Sequence, residues 1–237
     1  MGAPQREKTV QRRSMTAAIF WNVLAADTYG ALKALAALPL PRDFYLAGGT
    51  ALALQIGHRI SYDLDFFSAT NQLGIEERTA LAHQLQRIGE VTIRRESDLQ
   101  IYATINGVEV SFVYQHHPLL LPTVDADGIF LAQPIDIGLM KLSAIKDRGA
   151  RRDFVDLYCL RNIAPLKTLF QLLSRKYPDQ PDFSVHLAYA LRYFDDAEAD
   201  PRELQLRRKV SWGAVKKYCT EGARLLSKLN AGLEPPE

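Results

Sequence analysis

The chain has 237 residues, enough for one large or two small domains with a core that needs no disulfide or metal staple. Apolar residues make up 47% and charged residues 24%, the balance of a folded globular protein rather than a disordered one. Lys and Arg number 29 against 27 Asp and Glu; the net charge of +2 excludes polycation behaviour of the whole chain but not a local basic patch.

Two cysteines, Cys159 and Cys219, are too few for a disulfide framework or a cysteine-based zinc site, so nothing calls for an oxidising compartment. The longest apolar stretch, residues 16–40, carries Asn22, Asp27 and Lys33 and falls short of the ~20 clean apolar residues of a membrane span. The basic N-terminus lacks the cleavage pattern of a signal peptide. The expected location is the cytoplasm, with no membrane partner.

In chain order, residues 1–14 are polar and basic without periodicity and read as a flexible tail, either solvated or a nucleic-acid-binding arm; Met15 is an alternative start. Residues 16–38 have a helical apolar face, ended by Pro39 and Pro41. A short strand over 44–47 runs into a Gly48-Gly49-Thr50 turn and a helix over 51–56. A strand over 60–67 and an amphipathic helix over 76–88 follow. Strands over 91–95, 100–105 and 108–114 come next, the last two joined at Asn106-Gly107, where both positions tolerate positive φ. Beyond Pro118 and Pro122 the residues 134–161, 165–176, 183–193 and 203–229 read as helical. The pattern is α+β: a small mixed sheet, then an all-helical C-terminal region, with the boundary near 115–133. There is no internal repeat.

The informative stretch is 44–68, FYLAGGTALALQIGHRISYDLDFFS. Gly48 and Gly49 let a ligand approach the backbone, and Thr50 opens a helix whose N-terminus suits phosphate. Asp63 and Asp65 are two apart on a strand and point the same way. Their carboxylates repel unless a cation sits between them, and hard oxygen ligands of this kind suit Mg²⁺ or Mn²⁺. Asp-x-Asp alone is a weak signal. Its neighbours Leu64, Phe66 and Phe67 strengthen it, because they mark a buried strand where unpaired acids are costly.

A second stretch, 136–160 (DIGLMKLSAIKDRGARRDFVDLYCL), places Lys141 and Arg148 on one helix face and Asp153 and Asp156 on one face of the next. Both faces otherwise read as buried, and buried charges need partners. Either the cations pair with the two aspartates, or Lys141 and Arg148 reach phosphate while the aspartates orient them.

GGT, twelve residues, then DLDFFS resembles the AbiEii/AbiGii abortive-infection toxin family of the DNA polymerase β-type nucleotidyltransferase superfamily, and the likeness covers roughly 20–162. The lysine, the arginine and the basic-Asp-Phe-x-Asp pattern of 136–160 fit the same family, with Arg152 where many relatives have lysine. The resemblance implies a minimal nucleotidyltransferase domain at 15–130 and a helical domain at 131–237 completing the cleft. It implies transfer of NMP from an NTP, with Mg²⁺ or Mn²⁺, to an acceptor expected to be RNA, notably tRNA. A cognate antitoxin is implied as partner. Carried over by position, Gly48, Gly49 and Thr50 face the triphosphate, Asp63 and Asp65 hold metal, and Lys141 is catalytic.

The resemblance implies a third carboxylate on a following strand, as expected in the superfamily, and the position aligned with it is Ser111; Glu109, two residues away on the same face, is the candidate substitute ligand. That departure keeps open a degenerate nucleotide- or RNA-binding protein without transfer, and a small-molecule nucleotidyltransferase is a third alternative. Arg59 is a candidate phosphate contact and His58 a structural residue. His116 and His117 make a poor metal site, since adjacent residues on a strand face opposite ways, and read as exposed loop residues. Cys159 reads as core. Arg202, Arg207, Arg208, Lys209, Lys216, Lys217, Arg224 and Lys228, with Trp212 and Tyr218 between them, fit either an RNA-binding face or a solvated helix.

Overall fold

The computed structural model describes residues 18–41 and 43–233. The N-terminal tail over 1–14 and the alternative start at Met15 lie outside them.

Seven strands form one mixed sheet in the order β3-β4-β5-β2-β1-β7-β6. They are β1 (Tyr45–Leu46), β2 (Leu64–Ser68), β3 (Val91–Ser97), β4 (Gln100–Ile105), β5 (Val108–Tyr114), β6 (Val124–Ala126) and β7 (Ile129–Leu131). β2 runs parallel to β5 and antiparallel to β1, and β1 runs parallel to β7. The β4–β5 hairpin turns at Asn106 (φ 48°) and Gly107 (φ 83°), as the dipeptide requires. A second hairpin, β6–β7, turns the same way at Asp127 (φ 52°) and Gly128 (φ 87°). Its three-residue strands carry too little alternation to be read from sequence.

The helices are α1 (Ala26–Ala36), α2 (Gly48–Ile56), α3 (Ile75–Leu85), α4 (Pro134–Arg148), α5 (Arg151–Leu160), α6 (Leu166–Lys176), α7 (Phe183–Ala190), α8 (Asp195–Ala199) and α9 (Trp212–Asn230). α2 is buried on every side, which fits a segment as apolar as ALALQI. α4 starts with proline in its first turn and stops at Gly149 in the left-handed region (φ 56°). That stop splits the 134–161 stretch into two helices and turns α5 back against α4.

Three boundaries differ from the sequence reading. The helix expected over 16–38 spans Ala26–Ala36, preceded by one 3₁₀ turn at Trp21–Val23. The glycines do not precede the helix but form its first turn. The C-terminal helix expected from 203 begins at Trp212, where the Ser211 side chain accepts from the Ala214 amide. The segment before it is extended and makes a bridge between Leu206 and Arg59. A single hydrophobic core runs from α1 through the sheet to α9, so sheet and helices share one interior. No helix among the described residues is long and apolar enough to cross a membrane.

Candidate active site

The site is built where β1, β2 and β5 lie side by side. β1 ends at Leu46, and Ala47 leads directly into α2 with no side-chain cap, which leaves the first-turn amides free for solvent or a ligand. Gly48 takes φ +66°, and a Cβ there would come within 3.3 Å of Asp65 Oδ2. A side chain at this position would crowd the carboxylate, so the glycine keeps the space between the helix start and Asp65 open. Asp63 and Asp65 both line a cleft of about 530 Å³, the size of a small-molecule site. Asp65 lies within β2, whereas Asp63 stands one residue before it.

Thr50 is buried, and its hydroxyl turns away from the cleft. It donates to the Asp63 carbonyl and lies 2.7 Å from Ser61 Oγ, fixing the chain at Asp63. Ser111 sits opposite Asp65 in the β2–β5 register and donates to its Oδ1 at 2.6 Å. Burial and the neighbouring Asp63 push the Asp65 carboxyl up from its ordinary value, with the Ser111 bond opposing them. Two hard oxygen donors, one with an unfavourable negative charge, are a donor set that fits Mg²⁺ or Mn²⁺.

Behind the carboxylates lies a buried charge network. Asp156 is fully buried and receives Arg59 Nε at 2.7 Å and Nη2 at 3.1 Å, Lys141 Nζ at 2.8 Å and His58 Nε2 at 2.7 Å. Asp153, one helical turn away, receives Lys141 at 2.7 Å and Arg148 Nε at 3.1 Å. Burial alone would raise the Asp156 carboxyl; Lys141, Arg59 and the His58 bond outweigh it and hold it well below the usual carboxylate range. Burial likewise opposes the charge on Lys141, yet Asp153 and Asp156 keep its pKa above that of an ordinary lysine. His58 is pushed down, chiefly by burial.

The family model of the nucleotidyl transferase AbiEii toxin of type IV toxin–antitoxin systems matches residues 30–228. An uncharacterized Aquifex aeolicus protein, aq_aa25, is 36% identical over 177 residues, 73% of this chain and 84% of its own. The chain belongs to the AbiEii nucleotidyltransferase toxin family. Among solved structures, MenT4, a nucleotidyltransferase toxin of Mycobacterium tuberculosis, matches with a TM-score of 0.50 at 17% identity over 88% of each chain. At that identity the likeness speaks for the fold. JHP933 from Helicobacter pylori matches at 0.48 and 19%, over 86% of this chain and 94% of its own.

In this AbiEii family nucleotidyltransferase, Gly48, Gly49, Arg59, Asp63, Asp65, Glu109, Lys141, Arg148 and Asp153 all border the cleft. Thr50 and Asp156 stand behind it. Glu109 shares the Ser111 face but is mostly exposed, and its closest cation is Arg94 at 3.8 Å. The cations divide into two groups. Lys141 and Arg59 are buried and occupied by aspartates, whereas Arg148 is half exposed while tied to Asp153. Arg152 approaches Asp63 Oδ2 at 3.7 Å from the first turn of α5. The sequence marked Arg152 only as a family variant; its place beside the carboxylates depends on the α4–α5 turn at Gly149.

Two readings are corrected here. His116 and His117 do not face opposite ways: their rings are 3.7 Å apart, and both Nε2 atoms address Asp179. They follow β5 in a bend, where strand alternation no longer holds. In the C-terminal series, Arg202 pairs with Asp200, Lys216 with Glu198 and Lys217 with Glu221, and Arg208 bonds the Ile56 carbonyl. Trp212 packs edge-on against Phe154 and Phe194, and Tyr218 against Tyr158. The aromatics serve the core rather than a stacking surface for bases.

Proposed function

We propose that this cleft transfers a nucleoside monophosphate from an NTP to a hydroxyl of an RNA acceptor, of the tRNA class, as the toxin of a cytoplasmic toxin–antitoxin pair. The observation that carries the reading is that the uncapped start of α2, at Gly48 and Gly49, and the Asp63–Asp65 pair line one cleft. The first-turn amides at Gly48 and Gly49 would bind the triphosphate, helped by the positive end of the helix. Asp63 and Asp65 would hold Mg²⁺ or Mn²⁺, which when bound supplies Lewis-acid stabilisation of charge on the transferring and leaving phosphates. In the transfer, the acceptor hydroxyl oxygen bonds to the α-phosphorus as its proton passes to solvent, the bond to the α–β bridging oxygen breaks, and pyrophosphate leaves.

The remaining residues divide the electrostatic work. Arg148 and Arg152, exposed enough to move, would meet the phosphates. Lys141, with Asp153, Asp156 and Arg59, would be the rigid support at the cleft's edge that ties α4 and the chain after α2 to α5. Ser111 orients Asp65 rather than replacing a third acid. Arg94, Arg148 and Arg152 line the cleft and favour a polyanionic acceptor over a small neutral one.

Incubation with each α-labelled NTP, Mg²⁺ and total tRNA tests the acceptor. Label entering RNA supports the reading. Label entering an added aminoglycoside, with none in RNA, would replace it with a small-molecule transferase.

A further inference from the structure

Outside the cleft, one cluster of metal-ligating side chains stands out among the described residues: His116, His117 and Asp179. One carboxylate receives two imidazoles, His117 Nε2 on Oδ1 at 2.7 Å and His116 Nε2 on Oδ2 at 3.1 Å. One donor atom from each residue lies within 4.8 Å of the others.

The positions are held by bonds that involve none of these donor atoms. The His117 ring is buried and meets Tyr177 edge-on at 4.8 Å. Tyr177 stacks on Phe183 at 4.4 Å and donates its hydroxyl to the Leu139 carbonyl at 3.1 Å. Three residues before Asp179, Lys176 bonds the Pro118 carbonyl at 2.7 Å and Asp136 at 3.0 Å. The segment leaving β5 and the loop between α6 and α7 are thus fixed against each other, which keeps the three donors within 4.8 Å of one another. His116 and Asp179 are about half exposed, which leaves an entry path.

We propose that His116, His117 and Asp179 bind a divalent transition ion of the Zn²⁺ class, which staples the end of β5 to the α6–α7 loop. Two imidazole nitrogens and one carboxylate oxygen are a donor set for Zn²⁺ and its neighbours, not for Mg²⁺, which takes oxygen and keeps its water. Bond lengths of roughly 2.0–2.2 Å put tetrahedral ligands about 3.3 Å apart, so the observed spacing asks only for small side-chain shifts. Water completes the shell. Tyr177 borders the cleft, so the ion stands behind one of its walls. The site is chemically separate from the Asp63–Asp65 pair, which selects oxygen-seeking ions.

Co²⁺ titration of the full-length chain, followed by visible absorption, tests this. Four-coordinate Co²⁺ with imidazole ligands absorbs strongly, whereas Co²⁺ on carboxylates and water absorbs weakly. The expected result is one equivalent with strong bands, displaced by Zn²⁺, and a Zn²⁺-dependent rise in the unfolding temperature. His116→Ala and Asp179→Asn, both at exposed positions, should each weaken binding at least about tenfold. Asp63→Ala should leave the bands unchanged. Absence of the bands, or bands of wild-type strength in both His116→Ala and Asp179→Asn, would overturn the site and leave a hydrogen-bonded cluster. Bands lost only in Asp63→Ala would place the ion in the cleft and overturn it equally.

Discussion

Ser111 donates a 2.6 Å hydrogen bond to Asp65 across the paired strands β2 and β5, where the two residues stand opposite each other in register. The hydroxyl fixes one oxygen of Asp65 while adding no negative charge to a carboxyl already pushed up by burial and Asp63. Ser111→Ala should therefore lower turnover about 10- to 100-fold by freeing the ligand it orients. Ser111→Asp should lower the unfolding temperature in EDTA and enlarge the rise that Mg²⁺ produces. An unfolding temperature in that variant that ignores Mg²⁺ would contradict the assignment of this face as the metal site.

Asp156 is the hub of the buried network, and its replacement by asparagine leaves Lys141 and Arg59 short of a counter-charge. The expected cost at pH 7 is about 3–5 kcal/mol, read as a lower urea midpoint. The pH dependence has a fixed sign. Because the folded carboxyl is held below the ordinary 3.8, its stabilisation is fully present above that value and declines as pH falls towards the folded pKa. The gap between wild type and Asp156→Asn should narrow only below about pH 3.8. His58, pushed below 6.5 by burial, adds a separate loss of stability below that pH, because the unfolded chain takes up the proton first. A variant as stable as wild type at pH 7 would remove Asp156 from the hub.

Gly49 is required by space rather than by backbone angle. A Cβ there would lie 1.9 Å from Arg59 Nη2 and 3.4 Å from Asp156 Oδ2. The guanidinium is flexible, but its two bonds to Asp156 hold it in place. Gly49→Ala should cost about 1–3 kcal/mol and weaken NTP binding, measured by urea unfolding and calorimetry. Gly30 is the control, since a Cβ there would meet no neighbour within 4 Å: Gly30→Ala should leave NTP binding unchanged and cause no loss of stability.

Arg152 is predicted to act on substrate. Removing an arginine that is 28% exposed and whose one ion pair is a long 3.7 Å contact should change stability by no more than about 0.5 kcal/mol. Arg152→Ala should raise KM for NTP several-fold, and Arg152→Lys should recover part of it. A stability loss with unchanged KM would make the residue structural.

How far the sequence carried depends on the kind of information needed. Gly48, Gly49, Asp63 and Asp65 were legible because their chemistry is written in local spacing: a glycine pair opening a helix, and acids one pleat apart. The Asn106-Gly107 hairpin was legible for the same reason. The pairing of Lys141 and Arg148 with Asp153 and Asp156 was one of two readings the sequence left open; the partner of Arg59 was not legible, because it depends on how α5 folds back over α2, which the Gly149 stop decides. His116 and His117 were misread because strand alternation was extended past the end of β5. The sequence left Trp212 and Tyr218 open between an RNA-binding face and a solvated helix, because a one-dimensional pattern of basic and aromatic residues does not say which side of α9 meets the core.

The central claim is that Asp63 and Asp65 make the cleft a metal-dependent transfer site. Its most direct test is the rate of α-labelled NMP transfer by wild type beside Asp65→Asn, which keeps the shape and removes the charge, with Mg²⁺ titrated in both. The account predicts Mg²⁺-dependent transfer by wild type and a loss of at least about 100-fold in the variant, as expected when a group acting on the transition state is removed. Transfer by Asp65→Asn at the wild-type rate and the same Mg²⁺ dependence would contradict it.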